Sequence, residues 1–279
     1  MHGHMTETKR AHGIENLTTG AMAEVWRRVR EYIPPEGVFD AHAHIGTDVD
    51  GRAMSAEGMR ERMRAAGVRR SIVFPLNDPN AREDFSGPND LVWAAYEEHP
   101  GFFVPFFRLN PHHAYEKEFE RCVGRGFAGL KLHPVSQDFE LDDPRVVRLF
   151  GMAVAAGLPV IIHAGFGMRR IVEPLLSVFE AHPGLRLILG HAAMPEVLEA
   201  VRAFGDNPNV LFETSVVRAR DLYVLFSVMD PERICYGSDI PYGDLPSTLH
   251  ATVAAASLAG LSGEELRGVL SGNIRRWFP

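Results

Sequence analysis

The sequence predicts an α/β chain closed into a single (β/α)8 TIM barrel, on three observations. Eight apolar runs alternate with amphipathic segments along 279 residues, and strands separated by helices form parallel sheets joined by crossovers. The length is close to the ~250 residues typical of that barrel. Polar residues gather at the C-terminal ends of the runs: His44, Asn77, Arg108, His133, His163, His191, Thr214 and Asp239. A barrel brings all such ends to one mouth, whereas an open doubly wound sheet spreads them along a crevice. No G-x-G-x-x-G follows the first run, which weakens the dinucleotide-binding alternative.

Taken in order, residues 1–17 read as a disordered or tag-like arm and 18–279 as the barrel. The arm carries an H-x-H of its own, His2 and His4, but in a polar stretch with no strand pattern, so we give it no role. The arm lacks the apolar stretch of a signal peptide. Thr18–Tyr32 reads as an extra helix before the first strand. The strands are then "GVFDAHAHI", "RSIVFPLN", "FFVPFFRLN", "FAGLKLHP", "LPVIIHAG", "LRLILGHAA", "NVLFETSVV" and "RICYGSDIP". Helices fall between them. Ser55–Ala66 opens on a capping box at Ser55 with Glu57 in its first turn, and stops at Gly67. Asn89–His99, Ala114–Arg125, Pro144–Ala156, Arg169–Ala181 and Pro195–Phe204 each stop at or near glycine or proline. Two more start near Arg218 and Ser247.

Composition narrows the class. Hydrophobic residues at 46% and charged residues at 23% are ordinary for a globular protein. A net charge of -7 speaks against a nucleic-acid or anionic-membrane surface. Two cysteines, Cys122 and Cys235, form no disulfide framework, which fits a reducing cytoplasm. No apolar run approaches the ~18 residues of a membrane span.

In "VFDAHAHIG" a strand turns residues i and i+2 to one face, so His42 and His44 look the same way, with Asp40 beside them. One buried imidazole can be satisfied by one hydrogen bond, but two neighbours facing inward need a shared partner. A divalent cation is the simplest, since neutral imidazole is its commonest ligand. His163, His191 and Asp239 end other strands at the same rim. As separate structural residues each would need its own partner, and leaving one buried and unpaired costs about 1–3 kcal/mol. A shared metal and a shared substrate account for all five.

The series "DAHAHI … KLHP … IIHAG … GHAA … YGSDIPYG" resembles the amidohydrolase superfamily of metal-dependent barrel enzymes, and most closely its amidohydrolase-related branch, which also contains decarboxylases. The resemblance runs from about Val38 to Phe278. It implies one divalent ion held by His42, His44, His163 and Asp239, with zinc the default and manganese or iron(II) the alternatives. It places His191 beside the ion as proton donor or electrophile. Three imidazoles and one carboxylate leave such an ion Lewis-acidic, with room for a water that it activates. Asp239 would take that water's proton.

Lys131 and His133 share a face of the fourth strand. In binuclear relatives a lysine on this strand is carboxylated and bridges two ions. We favour a lysine paired with an acid or with a substrate carboxylate, and read His133 as facing substrate or, alternatively, capping the strand before Pro134. Arg108, ending an apolar strand, either neutralises an acid in the mouth or grips a substrate carboxylate. Arg218 and Arg220 are weaker candidates. Phe166, Met168 and Tyr242 stand as possible pocket walls, and Asp244 as a surface or capping acid.

The function expected is metal-dependent hydrolysis of a small carboxylate-bearing amide, ester or lactone through a metal-activated water. Non-oxidative decarboxylation of an aromatic or enoate acid on the same metal site is the alternative. A metal-independent lactonase and a silent scaffold barrel fit less well, because each predicts a lost ligand. The expected partner is a small-molecule substrate, not nucleic acid or membrane, with a homodimer possible. The C-terminal "RRWFP" would pack on the barrel base or on a partner.

Overall fold

The computed structural model describes residues 26–79, 81 and 84–279. The arm at 1–17, with His2 and His4, therefore lies outside the described residues, as does the start of the extra helix; residues 26–30 of that helix are helical. Trp26 and Val29 on it pack into the outer core.

The strands are β1 (Val38–Thr47), β2 (Ala53–Met54), β3 (Val68–Pro75), β4 (Phe103–Arg108), β5 (Gly129–Leu132), β6 (Val160–His163), β7 (Leu187–Gly190), β8 (Val210–Glu213) and β9 (Ile234–Cys235). They form one sheet in the order β2-β1-β3-β4-β5-β6-β7-β8-β9. Sequence reading missed β2, a two-residue strand antiparallel to β1. The other strands pair in parallel with their sequence neighbours. The sheet closes where the chain after β9 meets β1. Ala41 N–H donates to Tyr236 O at 2.9 Å, Asp239 N–H to His42 O at 2.8 Å and His44 N–H to Ile240 O at 2.9 Å. This is the TIM barrel that the alternation predicts.

Two apolar layers fill it. Phe39, Ala41, Ile72, Phe74, Val104, Phe106, Ile161, Ile188 and Leu211 point inward and pack on Ile274 and Phe278. Phe278 meets Phe39 and Phe106 at ring separations of 6.4 and 5.7 Å. The C-terminal aromatics thus pack against the barrel interior. The strands' other faces pack on the helices, which is why the runs are apolar on both sides rather than alternating.

The helices keep close to their expected bounds: Ala56–Ala65, Ser86–Glu98, Glu116–Arg125, Pro144–Ala155, Val172–Ala181, Val197–Phe204, Ala219–Val228 and Leu245–Leu258. Ser55 caps the first by accepting from Gly58 N–H at 3.1 Å, but the expected box is only half made, because the third position is a glycine with no side chain to reciprocate. A full capping box appears instead at Ser262 and Glu265, at the start of Gly263–Arg267. Among the described residues no helix is long and apolar enough to cross a membrane.

Candidate metal centre

The register of β1 slips relative to β3 between Asp40 and Ala43. Such a bulge re-aims side chains. Phe39 and Ala41 belong to the inner apolar cluster, and after the slip His42 and His44 line the cavity at the mouth. Asp40 therefore does not share their face as strict alternation predicts. It is buried behind the site, where its Oδ1 accepts from the backbone N–H of His42 (3.0 Å) and of Ser238 (2.9 Å), tying β1 to the chain after β9. Burial raises its carboxyl to about 7.

His42 Nε2 and His44 Nε2 lie 3.2 and 3.0 Å from the same oxygen, Asp239 Oδ1. These three residues form a buried group whose ligand atoms all lie within 4.8 Å of one another, close enough to hold a metal ion. The donor set fits a cation on chemical grounds. His42 Nδ1 is 2.7 Å from Glu213 Oε2, and His44 Nδ1 is 3.4 Å from Pro75 O. Carboxylates and carbonyls only accept, so in its neutral form each ring carries its proton on Nδ1. Two bare Nε2 lone pairs then face a carboxylate oxygen, an arrangement that a positive charge between them stabilises. Burial favours a neutral His44, lowered to about 4 against the pull of Asp239. Burial and Lys131 lower the proton affinity of His42, but Asp239 and Glu213 outweigh them and raise it. A protonated His42 and the two histidine contacts in turn hold Asp239 well below the usual carboxylate range against its own burial, so it stays ionised. Its backbone is left-handed (φ 57°), as is that of His191 (φ 57°), conformations that cost about 1–3 kcal/mol and concentrate at functional sites.

His163 stands outside this three-residue group, and both of its ring nitrogens have other partners. Its Nδ1 is 3.0 Å from His191 Nε2, and its Nε2 is 2.9 Å from Phe166 O. His191 Nδ1 in turn donates to Ser215 O at 2.9 Å. A chain of two imidazoles with a carbonyl at each end makes three contacts, and two neutral rings bring only two protons. Burial lowers the affinity of both rings for a third. The central contact is thus lone pair against lone pair, and a nearby cation relieves it. His133 stacks on His163 at 4.0 Å and 9°. It accepts from Ser136 N–H through Nδ1 at 3.2 Å, so in its neutral form the proton sits on Nε2.

These residues line a cavity of about 390 Å³ together with Asp48, Asn77, Arg108, Lys131, Ser136 and Tyr242. Arg108 and Lys131 stand directly opposite one another in the β4–β5 register, and both are fully buried. Arg108 donates to Ser136 Oγ (2.6 Å), and Lys131 Nζ lies 3.4 Å from His42 Nε2 and 4.7 Å from the Phe74 ring centre. Among the described residues neither has a carboxylate within ion-pair distance. Burial lowers Arg108 to about 10 and Lys131 to about 7. On the other wall Tyr242 donates to Asp48 and sets its ring edge-on to His44 at 5.5 Å.

A family model described as amidohydrolase matches residues 39–279. The chain belongs to the amidohydrolase family. Among solved structures, this amidohydrolase-family chain is similar to a TIM-barrel protein from Bordetella bronchiseptica, at 18% identity and TM-score 0.67 over 86% of this chain and 98% of that one. It is similar to 2,6-dihydroxybenzoate decarboxylase from Rhizobium at 18% identity and TM-score 0.65, over 87% and 98%. It is also similar to 4-oxalomesaconate hydratase from Rhodopseudomonas palustris at 16% and 0.63, over 87% and 95%. These likenesses establish the fold. No curated protein matches the chain.

Of the weaker sequence candidates, Arg218 is engaged with Asp221 at 2.5 Å and does not line this cavity. Arg220 and Met168 are also absent from its walls, and Phe166 is 63% exposed. Asp244 caps the helix Leu245–Leu258, accepting from Ser247 N–H at 3.0 Å. Sequence reading passed over Glu213 in favour of its neighbour Thr214. The available signal was an acid closing the otherwise apolar "NVLFE", the same placement that singled out the histidines.

Proposed function

We propose that the chain is a metal-dependent hydrolase that acts on a small amide, ester or lactone bearing a carboxylate. The carrying observation is the pair Arg108 and Lys131: two buried basic side chains in direct cross-strand register, with no acid within ion-pair distance among the described residues, on the wall of a cavity that also presents His42, His44 and Asp239. Like charges directly opposite one another destabilise a sheet, and an anionic ligand removes that penalty. A cavity of about 390 Å³ suits a small molecule.

A divalent ion bound at His42, His44 and Asp239, zinc by default, supplies Lewis acidity and lowers the pKa of water. His163 would complete its shell on turning from Phe166. Arg108 orients the substrate carboxylate, and His133 offers a neutral N–H. Asp239, kept ionised, accepts the proton of the attacking water. His191, held through Nδ1 by Ser215 O, keeps a bare Nε2 beside His163 on the cavity wall, where it can take up the proton that Asp239 accepts and pass it to the leaving group.

A second reading is non-oxidative decarboxylation, the activity named for the similar Rhizobium protein. Lys131 favours it: at 3.4 Å from His42 Nε2 it would hold a carboxylate beside the cation site itself, making that carboxylate the reacting group. Metal content of protein purified without added metal, and a panel of carboxylate-bearing amides, esters, lactones and aromatic acids, test both. Water uptake supports hydrolysis and carbon dioxide release supports decarboxylation. Absence of metal binding together with no turnover on the panel would sink both.

A further inference from the structure

Glu213 has no place in the reaction described above, yet it is the most heavily engaged carboxylate near the site. It is completely buried, and among the described residues no lysine or arginine comes within ion-pair distance of it. Its Oε2 accepts from His42 Nδ1 (2.7 Å), from the Ser215 hydroxyl (2.8 Å) and from the backbone N–H of His191 (3.3 Å), and its Oε1 accepts from Ser215 N–H. Gly237 provides the room: a methyl group there would collide with Oε1 and come within 2.8 Å of His42 Cβ. Ser215 extends the network: its carbonyl holds His191 Nδ1 at 2.9 Å, and its hydroxyl lies 3.1 Å from the same nitrogen.

We infer that Glu213 is a positioning residue that fixes the metal-facing tautomer of His42 and, with Ser215, the aim of His191. A carboxylate accepts only, so a neutral His42 must place its proton on Nδ1 and leave Nε2 bare toward Asp239. An amide in the same place can donate to Nδ1 and drive the proton to Nε2, closing the lone pair that a cation needs. The same oxygen anchors the left-handed turn at His191, so one group sets both a ligand and a proton carrier. Partners of this kind orient metal-binding histidines and raise their basicity. The inference rests on the metal-site reading above.

The test is zinc affinity, measured by competition with a chelating dye on metal-stripped protein, for the unmodified chain, Glu213→Gln, Glu213→Asp and Ser215→Ala. Glu213→Gln should keep its circular dichroism and bind zinc about 10–100-fold more weakly. Glu213→Asp, still an acceptor, should recover part of that loss. Ser215→Ala should leave zinc affinity nearly unchanged and act on turnover. Wild-type affinity in folded Glu213→Gln would overturn the inference. If that variant does not fold, nitrogen NMR of the unmodified metal-free protein in mildly alkaline solution decides: His42 should be protonated at Nδ1, and protonation at Nε2 would overturn the assignment. Failure of the unmodified chain to bind zinc would instead overturn the metal site itself, and the inference with it.

Discussion

Lys131 sits where an ammonium ion is poorly tolerated, and replacing it should stabilise the metal-free protein. The side chain is completely buried, with a histidine nitrogen and a phenylalanine face as its neighbours and no acid within ion-pair distance among the described residues. Burial lowers its pKa from 10.5 to about 7. At about 1.4 kcal/mol for each pKa unit, that difference is a penalty of about 5 kcal/mol on the charged folded form. The sign follows from proton counting. Below about pH 7 both states hold the proton and the penalty is complete. Between about pH 7 and 10.5 the unfolded chain holds a proton that the folded chain has released, so stability rises with pH and the penalty fades. Lys131→Met keeps the volume and removes the charge. Allowing for imperfect repacking, it should add about 2–5 kcal/mol near neutral pH. Urea unfolding of chelator-stripped protein, run near neutrality and again near pH 10, reads this directly, with the gain shrinking at the higher pH. No gain at neutrality, or a gain indifferent to pH, would refute the argument that the ammonium is uncompensated. A mass increase matching a carboxyl group would name its partner as bound carbon dioxide. Loss of substrate binding in the same variant is expected, since the charge that destabilises the empty cavity is the one that meets the ligand.

Three further predictions concern the site and the core. His44→Ala and Asp239→Ala should each release most of the bound ion, measured by elemental analysis, while His191→Ala keeps it and loses about 10²–10⁴-fold in turnover as a missing proton carrier. Gly165→Ala should mimic His191→Ala without removing the imidazole: the new methyl would lie 2.7 Å from His191 Cδ2, so the ring must move by roughly 1 Å, a misplacement worth about 10²-fold in rate. An undiminished rate in that glycine variant would contradict the placement of His191. Cys122 and Cys235, both buried with thiols pushed upward by burial, should resist a thiol reagent in the folded protein and react fully in urea.

What could be read beforehand follows from which features are local. Periodicity and punctuation are local, so the eight runs, the helices between them and the barrel were legible in the chain. The rim was legible for the same reason: polar residues at the ends of apolar runs line the mouth cavity once the sheet closes, except Thr214, which turns outward and accepts from Thr252 on the helix Leu245–Leu258. Contacts set by closure were not legible. That Arg108 faces Lys131 depends on the β4–β5 register, and that His42 escapes the inner apolar layer depends on the slip after Asp40. Nothing in "FDAHAH" announces that slip, which is forced by pairing with β3 on one side and with the chain after β9 on the other. Glu213 was hidden differently. It was visible as an acid, but its purpose appears only when His42, 171 positions away, turns its back nitrogen toward it. The residues that touch a ligand were thus readable from type and position, and those that aim them were not. A carboxylate in a buried strand carries no sign of whether it faces a cation, a substrate or the far side of a histidine.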